Sequence, residues 1–301
     1  MKNKSLLLLF LLLPMLINAQ QYVDVADISY SKTGATPYIN SDKSTTISIF
    51  DSKILLPVVL NEKTALITGF DFNIKKFQLY PDAEYNTLYY TRLKLGFTTQ
   101  HSKKWSGIYV LLPILSSNYK KIGTDDIYMG GIAVLTYKKS TNFNYKFGLY
   151  AGNEAYGLYV TPLVGMYYKS LDARFEFTAL IPGLFDVNYG LSNTTRVGLD
   201  YKGNSETFKI HTENTPLTYT ENNTLEFSTY VQNNSLTKNL LLRLKLGVET
   251  NTYDVYAVDD KIGLAITPFR IGDNRTKLNT NLETSAFLKV QAIYRFPIST
   301  N

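Results

Sequence analysis

The feature that most constrains this chain is a two-residue alternation of apolar and polar side chains, sustained over nine or more residues in several places. In its clearest instance Leu240, Leu242, Leu244, Leu246 and Val248 form one face, and Leu241, Arg243, Lys245, Gly247 and Glu249 the other. A helix would gather Leu240, Leu244 and Val248 but bring Leu241 and Lys245 into adjoining positions. A strand separates the two sets. The same pattern sets Tyr89, Thr91, Leu93, Leu95 and Phe97 against Leu88, Tyr90, Arg92, Lys94 and Gly96. It sets Leu66, Phe70, Phe72 and Ile74 against Asp71 and Asn73. From Leu171 to Ala179 the polar face holds Asp172, Arg174, Glu176 and Thr178. Near the C-terminus Lys289, Gln291, Ile293 and Arg295 oppose Leu288, Val290, Ala292, Tyr294 and Phe296. Each stretch has about the 9–11 residues that a tilted strand needs to cross a bilayer.

The chain begins as exported proteins do. Lys2 and Lys4 precede an apolar run from Leu6 to Leu16, and Ala19 supplies a small residue before the expected cleavage. Residues 1–19 therefore read as a signal peptide, and residues 20–301 as one domain of 301 − 19 = 282 residues. The apolar run is shorter than the roughly 20 residues of a membrane helix. No later run approaches that length. The full chain holds 31 basic and 25 acidic residues. Removing the two leader lysines leaves 29 to 25, a mild excess that makes no case for nucleic-acid binding. With no cysteine, disulfides, thiolate metal sites and cysteine nucleophiles are excluded.

Alternation alone fits either a soluble barrel, apolar side inward, or a membrane barrel, apolar side outward. Three features favour the membrane form. The exported chain has many long alternating stretches. Its 24 tyrosines and 16 phenylalanines, against one tryptophan, include strand-end pairs such as Tyr89-Tyr90 and Tyr167-Tyr168. The last strand ends on Phe296, a terminal aromatic, although Pro297 to Asn301 follow it. The expected fold is an all-β antiparallel transmembrane barrel of about twelve strands, with ten to fourteen open. Residues 61–63, 140–142, 168–170 and 251–252 read as tight connections. Residues 32–44, 115–124, 212–222 and 268–284 read as long polar loops that face outward from the cell. Residues 22–31 read as a strand, an extension or a capping segment.

Short proline-marked motifs add a resemblance. Leu56-Pro57-Val58, Leu112-Pro113-Ile114 and Thr161-Pro162-Leu163 occur in order, followed by Phe177-Thr178-Ala179-Leu180-Ile181-Pro182-Gly183 and Val187-Asn188-Tyr189-Gly190-Leu191. Over the whole mature chain these resemble an uncharacterised outer-membrane β-barrel family of Bacteroidota, similar to DUF6268. The resemblance implies a fold and an outer-membrane location, and no known activity.

Within such a barrel the alternation turns Arg92, Lys94, Arg174, Glu176, Arg243, Lys245, Glu249, Lys289 and Arg295 toward the lumen. They read either as a self-neutralising network filling a narrow barrel or as the lining of a porin-like path for anions or small polar solutes. A non-conducting barrel that presents its loops to a partner is the second expectation, and a lipid-acting enzyme the third. His101-Ser102 invites comparison with outer-membrane phospholipases, but these residues sit in a polar turn with no group to orient the base. His211 has no recognisable partner. Asp125-Asp126 and Asp259-Asp260 lack calcium-loop spacing. No catalytic, cofactor-binding or metal residue is assigned. The expected partners are outer-membrane lipid, the export and barrel-assembly machinery, and a small polar solute.

Overall fold

The structure, a computed structural model, describes residues 22–213 and 216–297. The expected signal segment lies outside them. Among the described residues fourteen strands form one ring. In chain order they are β1 (Tyr22–Thr33), β2 (Ser48–Val59), β3 (Thr64–Phe77), β4 (Asn86–Gln100), β5 (Trp105–Ser117), β6 (Ile127–Lys138) and β7 (Phe143–Glu154). There follow β8 (Gly157–Lys169), β9 (Phe175–Ile181), β10 (Leu184–Gly190), β11 (Thr195–Ile210), β12 (Thr218–Thr237), β13 (Leu240–Ala257) and β14 (Ser285–Pro297). Each pairs antiparallel with its chain neighbours, and β14 returns to β1 with Pro297 against Tyr22 and Phe287 against Thr33. Closure gives each strand two partners and satisfies backbone groups that hydrocarbon cannot.

The barrel thus has fourteen strands rather than about twelve. Residues 22–31 belong to a full wall strand, not a cap. The tight connection expected at Asn251-Thr252 is absent, because β13 runs unbroken through it. Asn251 faces inward there and accepts a 2.7 Å bond from Thr224 Oγ1, so its polarity belongs to the interior and not to a turn. The alternation from Leu171 also begins too early. Residues 170–174 form a turn, with Ala173 at φ 56° and Asp172 Oδ1 accepting from the Arg174 amide at 3.1 Å. Pro113 sits at an irregularity: the β4–β5 register passes from Leu95↔Leu111 to Arg92↔Ile114 without pairing Pro113.

The facing is that of a membrane barrel. Leu242, Leu244, Leu246 and Val248 are 40–61% exposed, while Lys245 and Glu249 on the alternate face are 6% and 1% exposed. Trp105, Tyr168, Phe175, Tyr189 and Tyr294 are exposed near one end, and Trp105 lies 5.0 Å from Tyr137 ring to ring. This is the aromatic girdle of a membrane interface. That end also carries the connections 60–63, 101–104, 139–142, 170–174, 191–194 and 238–239 and both ends of the described chain. The opposite end carries the long segments 34–47, 78–85, 118–126, 211–217 and 258–284.

The long-loop end is filled. Beyond Gly203, β11 parts from β10 and, still paired with β12 as far as Ile210↔Thr218, crosses the barrel mouth. Its Lys209 pairs in parallel with Ser117 of β5, six strands away round the ring, and Ser116 Oγ donates to Thr207 O at 2.6 Å. Beneath this crossing lies a buried cluster that includes Phe77, Leu88, Tyr90, Phe208 and Tyr253. The Phe77 and Tyr253 ring centroids are 3.8 Å apart. The segment 258–284 covers the crossing from outside.

A charge-paired chamber inside the barrel

Strand pleating puts one side chain in two into the lumen, and here those positions carry charge. Below the aromatic cluster is a cavity of about 260 Å³. It runs from Tyr22, Asp24 and Arg295 at the short-turn rim to Leu184 and Lys202 near mid-wall. Its acidic lining is Asp24, Asp27, Asp51, Glu176, Asp186, Asp200 and Glu226. Its basic lining is Lys53, Arg196, Lys202, Arg243, Lys245, Lys289 and Arg295, seven of each sign.

Most of these groups are paired across strands. Arg295 grips Asp24 with two bonds of 2.6 and 3.0 Å and stacks on Tyr22 at 3.5 Å. Arg243 Nη1 donates to Asp186 at 3.0 Å, and the guanidinium carbon lies 4.3 Å from the centre of the Tyr230 ring. Lys245 bonds Asp200, and Lys289 bonds Glu226. Lys202 approaches Asp51 at 3.4 Å. Glu176 accepts from Tyr22 at 2.7 Å and from Tyr167 at 2.9 Å. Pairing of this kind is what buried charge requires, because an isolated ion loses several kcal/mol of hydration (about the penalty that remains after relaxation).

The residues singled out from the sequence divide into three groups. Glu176, Arg243, Lys245, Lys289 and Arg295 line the chamber together. Glu249 lies deeper, beside a void of about 30 Å³ that it shares with Lys289, and accepts from Asn251 Nδ2 at 2.5 Å. Arg92 and Lys94 point inward on β4 but converge on Asp71, Arg92 at 2.5 Å, away from the chamber. Arg174 stands apart. It is exposed in the turn before β9, and only its carbonyl takes part, accepting from Arg196 Nη2 at 2.8 Å. Sequence reading missed Asp51, Lys53, Asp186, Asp200 and Lys202. Asp51 and Lys53 share one parity on β2, as Asp200 and Lys202 do on β11, which is the same signal in strands whose apolar face is less regular. Lys75, in step with Asp71 and Asn73, was also missed; it bonds Glu206 at 2.5 Å beneath the mouth.

The cap over the mouth has its own charge cluster. Glu221 is fully buried although its β12 parity points outward. It is held by Arg270 and by Arg275, the latter at 3.0 Å with its side chain only 1% exposed. Arg275 also donates to Tyr219 Oη at 3.0 Å and stacks on Tyr256 at 4.0 Å. Its hydrogen bond to Asp273, at 2.9 Å, holds the Asp273 carboxyl below the usual carboxylate range.

The histidines serve local structure. His101 Nε2 meets Tyr109 Oη at 2.9 Å, while Ser102 Oγ accepts the Trp105 amide at 3.1 Å within the turn. His211 Nε2 lies 2.7 Å from the buried Asp126 carboxylate. His101 and Ser102 are therefore each engaged with other groups.

Residues 16–262 match the family described as Domain of unknown function (DUF6268). The chain belongs to this family. No curated protein matches it. Among solved structures, this DUF6268 barrel is similar to an outer membrane channel from Pseudomonas putida F1 at 8% identity, over 93% of this chain and 99% of that one, with a TM-score of 0.46. It is also similar to the P. putida toluene transporter TodX (10% identity, 93% and 91% covered, TM-score 0.36). Acinetobacter baumannii OccAB4 matches at 8% identity, 92% and 100% covered, TM-score 0.29. The assignment of the fold rests on the closed strand register of the DUF6268 chain itself.

Proposed function

We propose that this protein is an outer-membrane, porin-like barrel whose chamber takes up a small polar solute from the short-turn side. The observation that carries the reading is the chamber: about 260 Å³, with seven acidic and seven basic groups, inside a wall that shows apolar side chains to its surroundings. Short turns and both described chain ends lie on one side, as on the periplasmic side of outer-membrane barrels. Lipid of that membrane covers the apolar belt, and the bacterial export and barrel-assembly machinery delivers the chain. The Bacteroidota origin implied by the motifs belongs to the same reading.

Matched charge shapes what the chamber selects. Each sequence-assigned chamber cation apart from Arg174 faces a carboxylate, so the lumen offers dense alternating dipoles more than a net positive field. That suits zwitterionic and hydrogen-bonding solutes over simple anions. The filled outer mouth makes passage conditional on moving the cap. Planar-bilayer recording tests this. The intact barrel should carry only brief openings. A barrel with residues 262–280 replaced by a short Gly/Ser linker, together with Phe208→Ala and Tyr253→Ala, should conduct steadily. If that variant folds, by its heat-dependent gel shift, and still passes no current, the channel reading fails. The second reading, a sealed barrel presenting its loops, would then stand; the packed mouth is what favours it.

A further inference from the structure

The wall has a gap. Strands β9 and β10 have seven residues each, short of the roughly 9–11 that a tilted strand needs to cross hydrocarbon. Their hairpin ends at Pro182-Gly183, where Gly203 N donates to Gly183 O at 2.8 Å. Beyond that point β8 continues upward from Val164 to Gly157 with no β9 beside it, while β11 turns away across the mouth. Among the described residues, the edge of β8 that faces the gap is covered by a strap, residues 264–271. Ala265 and Ile266 pair in parallel with Tyr159 and Val160, and Thr267 N donates to Val160 O at 3.0 Å. The strap's outer strand, Phe269–Ile271, pairs with Leu264–Ile266 and lies exposed on its other side.

An unpaired strand edge is untenable deep in hydrocarbon but tolerable at the headgroup boundary. The surroundings fit that boundary. Phe269 and Ile271 are 71% and 57% exposed, Leu158 and Val164 of β8 are exposed beside them, and Arg270 keeps a third of its side chain in contact with the outside. Behind the strap is a void of about 130 Å³, lined by the rings of Tyr156, Tyr159 and Phe269 and by Ser205, Asn223 and Thr267. Ser205 and Asn223 lie on the outward parity of β11 and β12, and the charged chamber begins on the opposite face of β11 at Lys202, three residues from Ser205, so the route from void to chamber runs round the edge of β11 that parts from β10 above Gly203. A closed apolar cavity of about 150 Å³ holds a benzene ring, so this void matches one ring or short chain with hydrogen-bonding partners at its edge.

We propose that the gap between β8 and β11 is a lateral port. Through it a small amphipath leaves the outer leaflet, apolar end against Tyr156, Tyr159 and Phe269 and polar head toward Lys202, when the strap swings off β8. This rests on the barrel's lying in a membrane, but not on its conducting through the mouth.

The test uses the chain's lack of cysteine. Thr161 Oγ1 and Thr267 Oγ1 lie 2.8 Å apart across the strap contact, so Thr161→Cys with Thr267→Cys can lock it. A reporter, Thr178→Cys, is placed in the chamber lining. Refolded barrels in phosphatidylcholine vesicles, their closure checked by gel shift, are treated with a membrane-partitioning pyrene maleimide or a sulfonated, water-confined maleimide. Labelling at residue 178 is read by peptide mass spectrometry. The sulfonated reagent can reach the reporter only from the short-turn rim, so its labelling should not respond to the lock. Oxidising the lock should slow pyrene labelling by about tenfold, equivalent to about 1.4 kcal/mol in the opening equilibrium, and reduction should restore it. Equal pyrene labelling in locked and reduced barrels overturns the proposal. So does a lock that slows the sulfonated reagent as much as the pyrene one, or no pyrene labelling of the reduced barrel. A chain that shows no gel shift at all would instead contradict the membrane-barrel reading.

Discussion

Removing the Lys289 ammonium should destabilise the folded barrel far more than a surface charge would. Lys289 and Glu226 are in direct contact, and each side chain is 8% exposed. Two unit charges about 4 Å apart interact by about 1 kcal/mol in water but by about 4 kcal/mol at the effective dielectric of a protein interior. Lys289→Met removes the cation in contact with Glu226, leaving Lys202 and Lys245 as the more distant cations in its field and Glu249 and Asp51 as fellow carboxylates around the small void. Breaking a buried pair in this way costs about 3–5 kcal/mol, whereas replacing both partners by apolar groups is often neutral. A double-mutant cycle with Lys289→Met and Glu226→Leu should therefore show a coupling of about 2–4 kcal/mol, the double variant recovering most of the single loss. The assay is urea unfolding of the detergent-refolded barrel. It can be followed by the gel shift and by fluorescence of Trp105, the sole tryptophan, at the start of β5. A coupling below about 1 kcal/mol, the value for water-exposed pairs, would mean the pair is fully hydrated. That would refute the reasoning that this pair is shielded from water.

The remaining predictions concern the outer face and the cap. Leu244→Arg, at a position 54% exposed in the middle of the apolar run of β13, should cost about 2–4 kcal/mol in lipid vesicles if it lies near the bilayer midplane. No measurable cost in lipid would contradict the facing. Gly157 has φ 132°, and a Cβ there would lie 2.5 Å from the Ile262 carbonyl oxygen. Gly157→Ala should thus strain the β7–β8 turn by about 1–3 kcal/mol and speed hydrogen exchange at the Ile262 amide, which donates to Tyr156 O at 2.8 Å. Glu221→Gln should loosen Arg270 and Arg275 and expose both to trypsin, giving early cleavage in 258–284 while the barrel band stays intact. The Asp273 carboxyl is held low by its hydrogen bond from Arg275. A group depressed in the folded state contributes fully above its unfolded value and is lost as pH falls through the folded one. Cap protection should therefore hold from pH 7 down to about 4 and weaken only below the ordinary aspartate value of about 3.9, as read by pepsin cleavage.

The faces of the strands were legible wherever alternation was strict. In β13 and β14 it gave the outward leucines and the inward Arg243, Lys245, Lys289 and Arg295, because lipid accepts only apolar side chains and the interior tolerates paired charge. Strand number was less legible. Polar interior residues and polar turns look alike in sequence, so Asn251-Thr252 read as a connection although Asn251 is buried inside. The short β9–β10 hairpin hid within a longer pattern, and Leu171 and Ala173 extended its alternation into a turn by coincidence. The cap and the crossing of β11 had no periodic signal. Glu221 is buried on an outward parity because a loop about 50 residues later in the chain folds over it, and local sequence does not record such a contact.

The most direct measurement is membrane fractionation combined with heat-modifiable migration of the detergent-extracted protein. The predicted result is a compact, fast band from the outer-membrane fraction that slows on boiling. A soluble periplasmic protein with no shift would contradict the closed membrane barrel and place Leu242, Leu244 and Leu246 in a core instead of against lipid.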